Sequence, residues 1–270
     1  MIETIVSFAE PPVVEVVAGV SFDGVDPELG SLLGAFWKEH LRSAFPTLEQ
    51  QPPYSPPIEH FPLVGASSRL SFNLDTLPTP RIWAKSSDGE RVLQLQPGYF
   101  ACNWRKVNAG GEYDRWPRRR SDFAHYFSLL SEFLAAEGGG EPKVTQCEVT
   151  YVNHIRPGEP WTDLSDFGSV FAISIKPTED YPLEQASVQA EYLMLDQGGP
   201  YGRVHVKVLP ALDRTGKTPL YVLELTARGA PRSGGAAGAL TFLDKGREAI
   251  DRIFVNLTTR AMHLEWGVQE

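Results

Sequence analysis

Two cysteines in 270 residues are too few for a disulfide framework. Cys102 and Cys147 both fall inside strand-like patterns, and neither belongs to a CxxC pair. They read as small buried thiols, not as metal ligands or a redox couple. Other signatures are missing too. Neither GxxxxGK[ST] nor GxGxxG occurs, so nucleotide binding through a glycine loop is unsupported. HExxH is absent, and no Cys/His series has zinc spacing, so neither a metal nor a cofactor is expected. No window approaches the ~18 uninterrupted apolar residues of a membrane-spanning helix. The opening MIETIVSFAEPP carries Glu3 and Glu10 where a secretory signal would be basic, so a cytoplasmic protein without a membrane association is expected. Lys and Arg number 25 against 34 Asp and Glu, for a net charge of −9, which argues against nucleic-acid backbone as a general partner.

What is present reads as an α+β fold. In RVLQLQPGYFACNWR (residues 91–105), Leu93 and Leu95 alternate with Gln94 and Gln96. Beyond Pro97-Gly98, Phe100, Cys102 and Trp104 alternate with Ala101, Asn103 and Arg105. Period-two alternation marks a sheet with one wet face, and the Pro-Gly pair is expected to bend or bulge one long strand. Before it, the β-branched run Val13–Phe22 predicts a strand, and Asp26-Pro27-Glu28 opens a helix carrying Leu29, Leu32, Leu33, Phe36, Trp37 and Leu41. Residues 46–66 hold six prolines and no period, which predicts an extended, polyproline-like surface connection. Strands are expected at residues 70–74 and 81–85, and a second helix at Trp116-Pro117, ended by Gly138-Gly139-Gly140.

The second half repeats the order. Lys143–Ile155 predicts a strand, Asp163–Phe171 a weak helix, and residues 188–195, 203–209 and 220–227 three more strands. A final helix is expected to run its apolar stripe from Leu240 through Leu264. Residues 1–140 and 141–270 thus form two strand–helix–strand–strand–strand–helix units without residue-level repetition. Two such units are expected to build an antiparallel sheet covered on one face by the long helices, packed as one body. The element order is analogous to the saddle of the TATA-binding-protein fold, a likeness that carries no function.

Helices on one face leave the polar alternates on the other. That face is expected to hold Gln94, Gln96, Gln146, Glu148, Thr150, Gln189, Glu191, Arg203, His205, Lys207, Glu224, Thr226 and Arg228. His154, at a strand end, shares the parity of Glu148 and Thr150 and has the titration range of a general base, but no nucleophile or carboxylate partner is fixed by the sequence. Arg115 with Arg118-Arg119-Arg120 is the one dense basic cluster, read as a solvated turn.

The segments PPVVEVVAGVSF, LQLQPGYFACNWRK, CEVTYVNHI and AIDRIFVNLTTRAMHLEWG together resemble a sporadically distributed bacterial family of uncharacterised proteins of about this length. The resemblance implies no activity, cofactor or catalytic residue. It does imply that Gln96, Asn103, Trp104, Arg105, Asn153 and His154 lie in signature segments, and a patchy distribution suits an accessory role beside another factor. The expectation is therefore a binding protein that engages a protein partner through the polar sheet face or the Pro-rich connection. The alternative is an enzyme or small-ligand binder with an anion-accepting pocket around Asn103, Arg105, Asn153 and His154, with Gln96 nearby.

Overall fold

β-branched residues after Pro11-Pro12 prefer an extended backbone, and the valine run there becomes the central strand of the molecule. The computed structural model describes residues 6–25, 32–61, 81–107, 113, 115–175 and 178–269. A short strand β1 (Ser7–Phe8) precedes β2 (Val13–Asp23), and α1 (Leu33–Phe36) continues into a π-helical turn over Trp37–Leu41. Then follow β3 (Thr47–Gln51), β4 (Arg81–Lys85), β5 (Arg91–Gln96), β6 (Tyr99–Arg105) and the long α2 (Trp116–Ala136). The second half holds β7 (Lys143–Ile155), α3 (Phe167–Val170), β8 (Val188–Asp196), β9 (Gly199–Leu212), β10 (Pro219–Gly229) and α4 (Gly235–Leu257). α5 (Arg260–Glu265) and β11 (Val268–Gln269) close the chain, with β11 pairing antiparallel to β1.

Among the described residues, nine strands form one antiparallel sheet in the order β3-β4-β5-β6-β2-β7-β10-β9-β8. β2 pairs with β7, so the sheet runs unbroken between the two halves of the chain. α2 lies against β6 and β2, α4 against β7 and β10, and the two helices touch each other. The fold is α+β, with an antiparallel sheet and its long helices on one face. Phe123, Phe127 and Leu130 of α2 and Leu243, Ile250 and Phe254 of α4 are buried against Val16, Ala18, Val20, Cys147 and Val149.

Three local expectations differ from the structure. Residues 91–105 are a hairpin, not one bent strand: Gln96 faces Tyr99 across Pro97-Gly98. Proline fixes φ at the first turn position, and Gly98 takes φ 75°, so the pair reverses the chain. The Pro-rich connection begins with an edge strand, β3, paired to β4. The strand expected at 70–74 lies outside the described residues, as does the start of the first helix at Asp26. The final helix is two helices. Thr258 is extended (φ −102°, ψ 153°), its hydroxyl donates to the Phe254 carbonyl at 2.7 Å, and Thr259 caps α5. Leu264 is consequently 62% exposed and leaves the apolar stripe.

One irregularity sets the site. β2 slips register against β7 between Val13 and Glu15, a bulge that returns Val13 to the buried face and turns Glu15 to the open one, opposite Arg105.

Candidate functional site

Cross-strand register sorts the open face into rows. Gln94 lies in line with Ala101, Gly19, Glu148, Arg228 and Arg203. The next row holds Asn103, Val17, Thr150, Thr226, His205 and Glu191. The polar alternates expected on this face share it. Asn103 is spent on structure there. Arg81 Nη1 and Trp83 Nε1 donate to Gln94 Oε1 (2.7 and 3.2 Å), Gln94 Nε2 to Asn103 Oδ1 (2.8 Å), and Asn103 Nδ2 to Glu15 Oε1 (2.8 Å). The ladder ties β4, β5, β6 and β2 together with both Gln94 and Asn103 buried. Asn103→Ala strips one group of its acceptor and another of its donor, so a loss of ~1–3 kcal/mol is expected in denaturant unfolding. A loss below ~0.5 kcal/mol would mean that water replaces the amide without penalty.

The Pro-rich segment is not a free surface connection. Residues 52–61 cross the open face as a strap. Gln96 exchanges two hydrogen bonds with the Tyr54 backbone (2.8 and 2.9 Å), and Gln146 accepts from Glu59 N (2.9 Å) while donating to Pro57 O (2.8 Å). The Tyr54 ring packs edge-on against Tyr99 at 5.1 Å. Glu59 pairs with Arg203, with His205 Nε2 at 2.5 Å and with Arg228 at 3.5 Å, and its side chain is 6% exposed. Arg228 also meets Glu148 at 2.5 Å, and Glu191 contacts Arg203 and His205 at 3.4 Å.

Burial alone would raise the Glu59 carboxyl, but the His205 hydrogen bond and the charges of His205, Arg203 and Arg228 outweigh it and hold the group below the usual glutamate range. A carboxyl lowered on folding contributes stability that is present above its unfolded pKa and lost as pH falls through its folded one. The amide resonances of Tyr54 and Glu59 are therefore expected to move together as the strap loosens in acid, below the ordinary glutamate range. Glu59→Gln should abolish that acid transition; an unchanged profile in the variant would rule out Glu59 as its origin.

Beyond the strap, the open face ends in a groove of about 990 Å³ among β2, β6, β7, β9 and β10. Val14, Val152, Leu220 and Val222 contribute its apolar surface, and Val107 and Leu212 are exposed beside them. Arg105, Lys106, His154, Arg156 and Arg214 also line it. Arg105 is oriented by donation from Nε to Gly89 O (3.2 Å) and by the Trp83 ring, 5.6 Å from its guanidinium. Burial first, then Arg156 and Arg214, push His154 below the usual histidine value, so its imidazole is neutral at neutral pH. The acids of the groove are occupied: Glu15 by Asn103, Asp213 by Thr215 and Thr218 of its own turn, with the Thr215 hydroxyl the main cause of a carboxyl lowered to about 2.

The five expected site residues therefore divide. Arg105 and His154 both line the groove, Gln96 clamps the strap and Asn103 serves the ladder. Asn153 points the other way, since neighbours in a strand face opposite sides. It is 4% exposed, donates to Leu223 O at 3.1 Å, and borders a separate cavity of about 270 Å³ on the helix side, with Tyr113, Tyr151 and Asp251. Burial pushes the Cys102 thiol well above its usual value and the Cys147 thiol to about 12, so neither is a nucleophile at neutral pH. The basic cluster is internal wiring: Arg120 and Trp116 both bind Asp244 of α4, Arg118 and Arg119 meet Asp122, and Arg115 reaches Phe8 O. Among the described residues, no group of three or more His, Cys, Asp and Glu could hold a metal ion.

Arg156, Arg214 and Glu59 are absent from the sequence-based selection. Arg156 had a signal, since it lies two residues beyond His154. Arg214 sits in the β9–β10 turn, and Glu59 finds its partners about 145 residues away, so neither had one. No family model matches the chain, and no curated protein or solved structure does. The saddle analogy accordingly rests on element order alone.

Proposed function

We propose that this protein is a binding protein, not an enzyme, and that the groove beside Arg105 and His154 receives an acidic, extended segment of a protein partner. The observation behind this reading is a charge imbalance. Arg105, Lys106, Arg156 and Arg214 line one groove, and none has an acidic partner among the described residues, in a chain of net charge −9. An extended peptide alternates its side chains. Acidic ones would meet the cations while aliphatic ones cover Val14, Val152 and Val222. The neutral His154 adds a donor and an acceptor at the centre.

A nucleic-acid strand fits less well, because among the described residues the groove lining contains no Phe, Tyr or Trp ring and offers only the His154 imidazole as a surface on which a base could stack. The reading as an enzyme or small-anion site loses two of its four groups, since Asn103 is consumed by Glu15 and Asn153 faces the helices. The cytoplasmic setting expected for such an accessory protein fits the absence, among the described residues, of any helix long and apolar enough to cross a membrane. A fluorescein-labelled peptide of alternating Glu and Leu tests the proposal by polarisation at low ionic strength. Saturable binding that weakens as added salt shortens the Debye length towards ~8 Å is expected. No saturable binding, or tighter binding of a labelled single-stranded DNA of equal length, would overturn it.

A further inference from the structure

We propose that the sheet beneath residues 52–61 is a second binding site, a track for extended acidic segments, and that the strap is its own chain's occupant of that track. This goes beyond the groove and does not depend on it. Three observations carry it.

The strap is held as a ligand is held. It makes no strand pairing; its backbone is read by the side-chain amides of Gln96 and Gln146, each donating to one strap carbonyl and accepting from one strap N–H. Main-chain recognition of this kind accepts any extended segment, with specificity left to the few side chains that point inward. Those are Tyr54, against Tyr99, Glu59, against the cations, and Phe61, whose ring lies 4.8 Å from the Arg203 guanidinium. The motif is an aromatic residue, a carboxylate five residues on, and a second aromatic two further.

The track also requires an anion. Arg203 is 4% exposed and makes its ion pairs with Glu59 and Glu191, the latter at 3.4 Å and 46% exposed at its side chain. A buried guanidinium left without its close carboxylate is strongly disfavoured. The face is therefore stable when occupied, and occupancy can come from the same chain or from another molecule. The strap itself is lightly held elsewhere: Ile58 is 73% exposed, and a cavity of about 600 Å³ runs along it, lined by Tyr54, Ser55, Pro56, Glu59 and Phe61 with Tyr99 and Arg232. Segments with few buried contacts open well below the global unfolding free energy. The prolines keep an opened strap extended and ready to return.

Exchange then lowers the apparent affinity of an incoming peptide by the fraction of molecules whose strap is open. The probe is the strap's own sequence, a labelled PPYSPPIEHF peptide. Glu59→Gln protein, whose internal occupant has lost its charge, is expected to bind it at least about tenfold more tightly than the unsubstituted protein. A peptide carrying Gln in place of its Glu should bind neither. Because Glu59→Gln could fail to fold, a second readout uses the unsubstituted protein: millimolar peptide should abolish hydrogen-exchange protection at the Tyr54 and Glu59 amides. The Arg156→Glu/Arg214→Glu protein should bind the strap peptide normally, which separates this site from the groove. Equal affinity of the two proteins for both peptides, or unchanged protection at the two amides, overturns the proposal.

Discussion

Trp104→Ala is expected to destabilise the protein by ~3–5 kcal/mol, the range for emptying a fully buried aromatic site. Trp104 is 1% exposed on the helix-covered face of β6, in register with Val16 of the central strand. Its ring lies 5.2 Å from Tyr113, whose hydroxyl meets that of Tyr151 on β7 at 2.9 Å. The aromatic seam thus crosses from the first half of the chain to the second. Removing the indole takes away contacts that both halves share, and the hydrogen-bonded sheet below it cannot collapse into the space. Domains hold only ~5–15 kcal/mol in all, so a large part of the stability goes with one side chain. Chemical denaturation measures it, with Trp104→Phe as the comparison that retains a ring. A loss under ~1.5 kcal/mol for the alanine variant, the range of tolerated volume-conserving swaps, would mean that the halves do not depend on this seam.

The second large effect concerns the groove. Arg156→Glu combined with Arg214→Glu is expected to weaken binding of the Glu/Leu peptide about a hundredfold, with ~1.4 kcal/mol for each tenfold step. Both residues are exposed and neither enters an ion pair among the described residues, so the substitutions should leave the fold intact. Each reversal turns an attraction into a repulsion and also slows encounter, because complementary fields steer association. His154 should respond as well: with Arg156 and Arg214 replaced by carboxylates, two charges that depress its pKa become charges that raise it. Affinity within threefold of the unsubstituted protein would remove the groove from the account.

Much of this architecture was legible because its signals are local. Alternation in residues 91–105 and 143–155, the stripe of α2 and the Pro117 start each need only a few neighbouring residues to be read. The polar face was legible for the same reason, since parity along each strand assigns every alternate side chain once one of them is known. Legibility ended where structure depends on distant contacts. Pro97-Gly98 could bend a strand or reverse it, and only the pairing of Gln96 with Tyr99 decides between them. Thr258 lies inside a good helical stripe, yet the backbone breaks there as Thr259 starts a new helix with its hydroxyl. The strap is the clearest case. Nothing around Glu59 announces a partner, because Arg203 and His205 reach it from the far half of the chain. Asn153 and His154 illustrate the opposite lesson: their adjacency looked like a cluster, but the strand itself sends them to opposite faces.

The most direct test of the binding account is an NMR titration of the protein with the Glu/Leu peptide, following the imidazole of His154 and the backbone amides across the sheet. The account predicts that His154, Val152, Val222 and Ala211 shift together and saturate at one affinity, while Tyr54 and Glu59 of the strap stay where they are. Shifts confined to the helix-side cavity around Asn153 and Asp251, or none at His154 at saturating peptide, would contradict it.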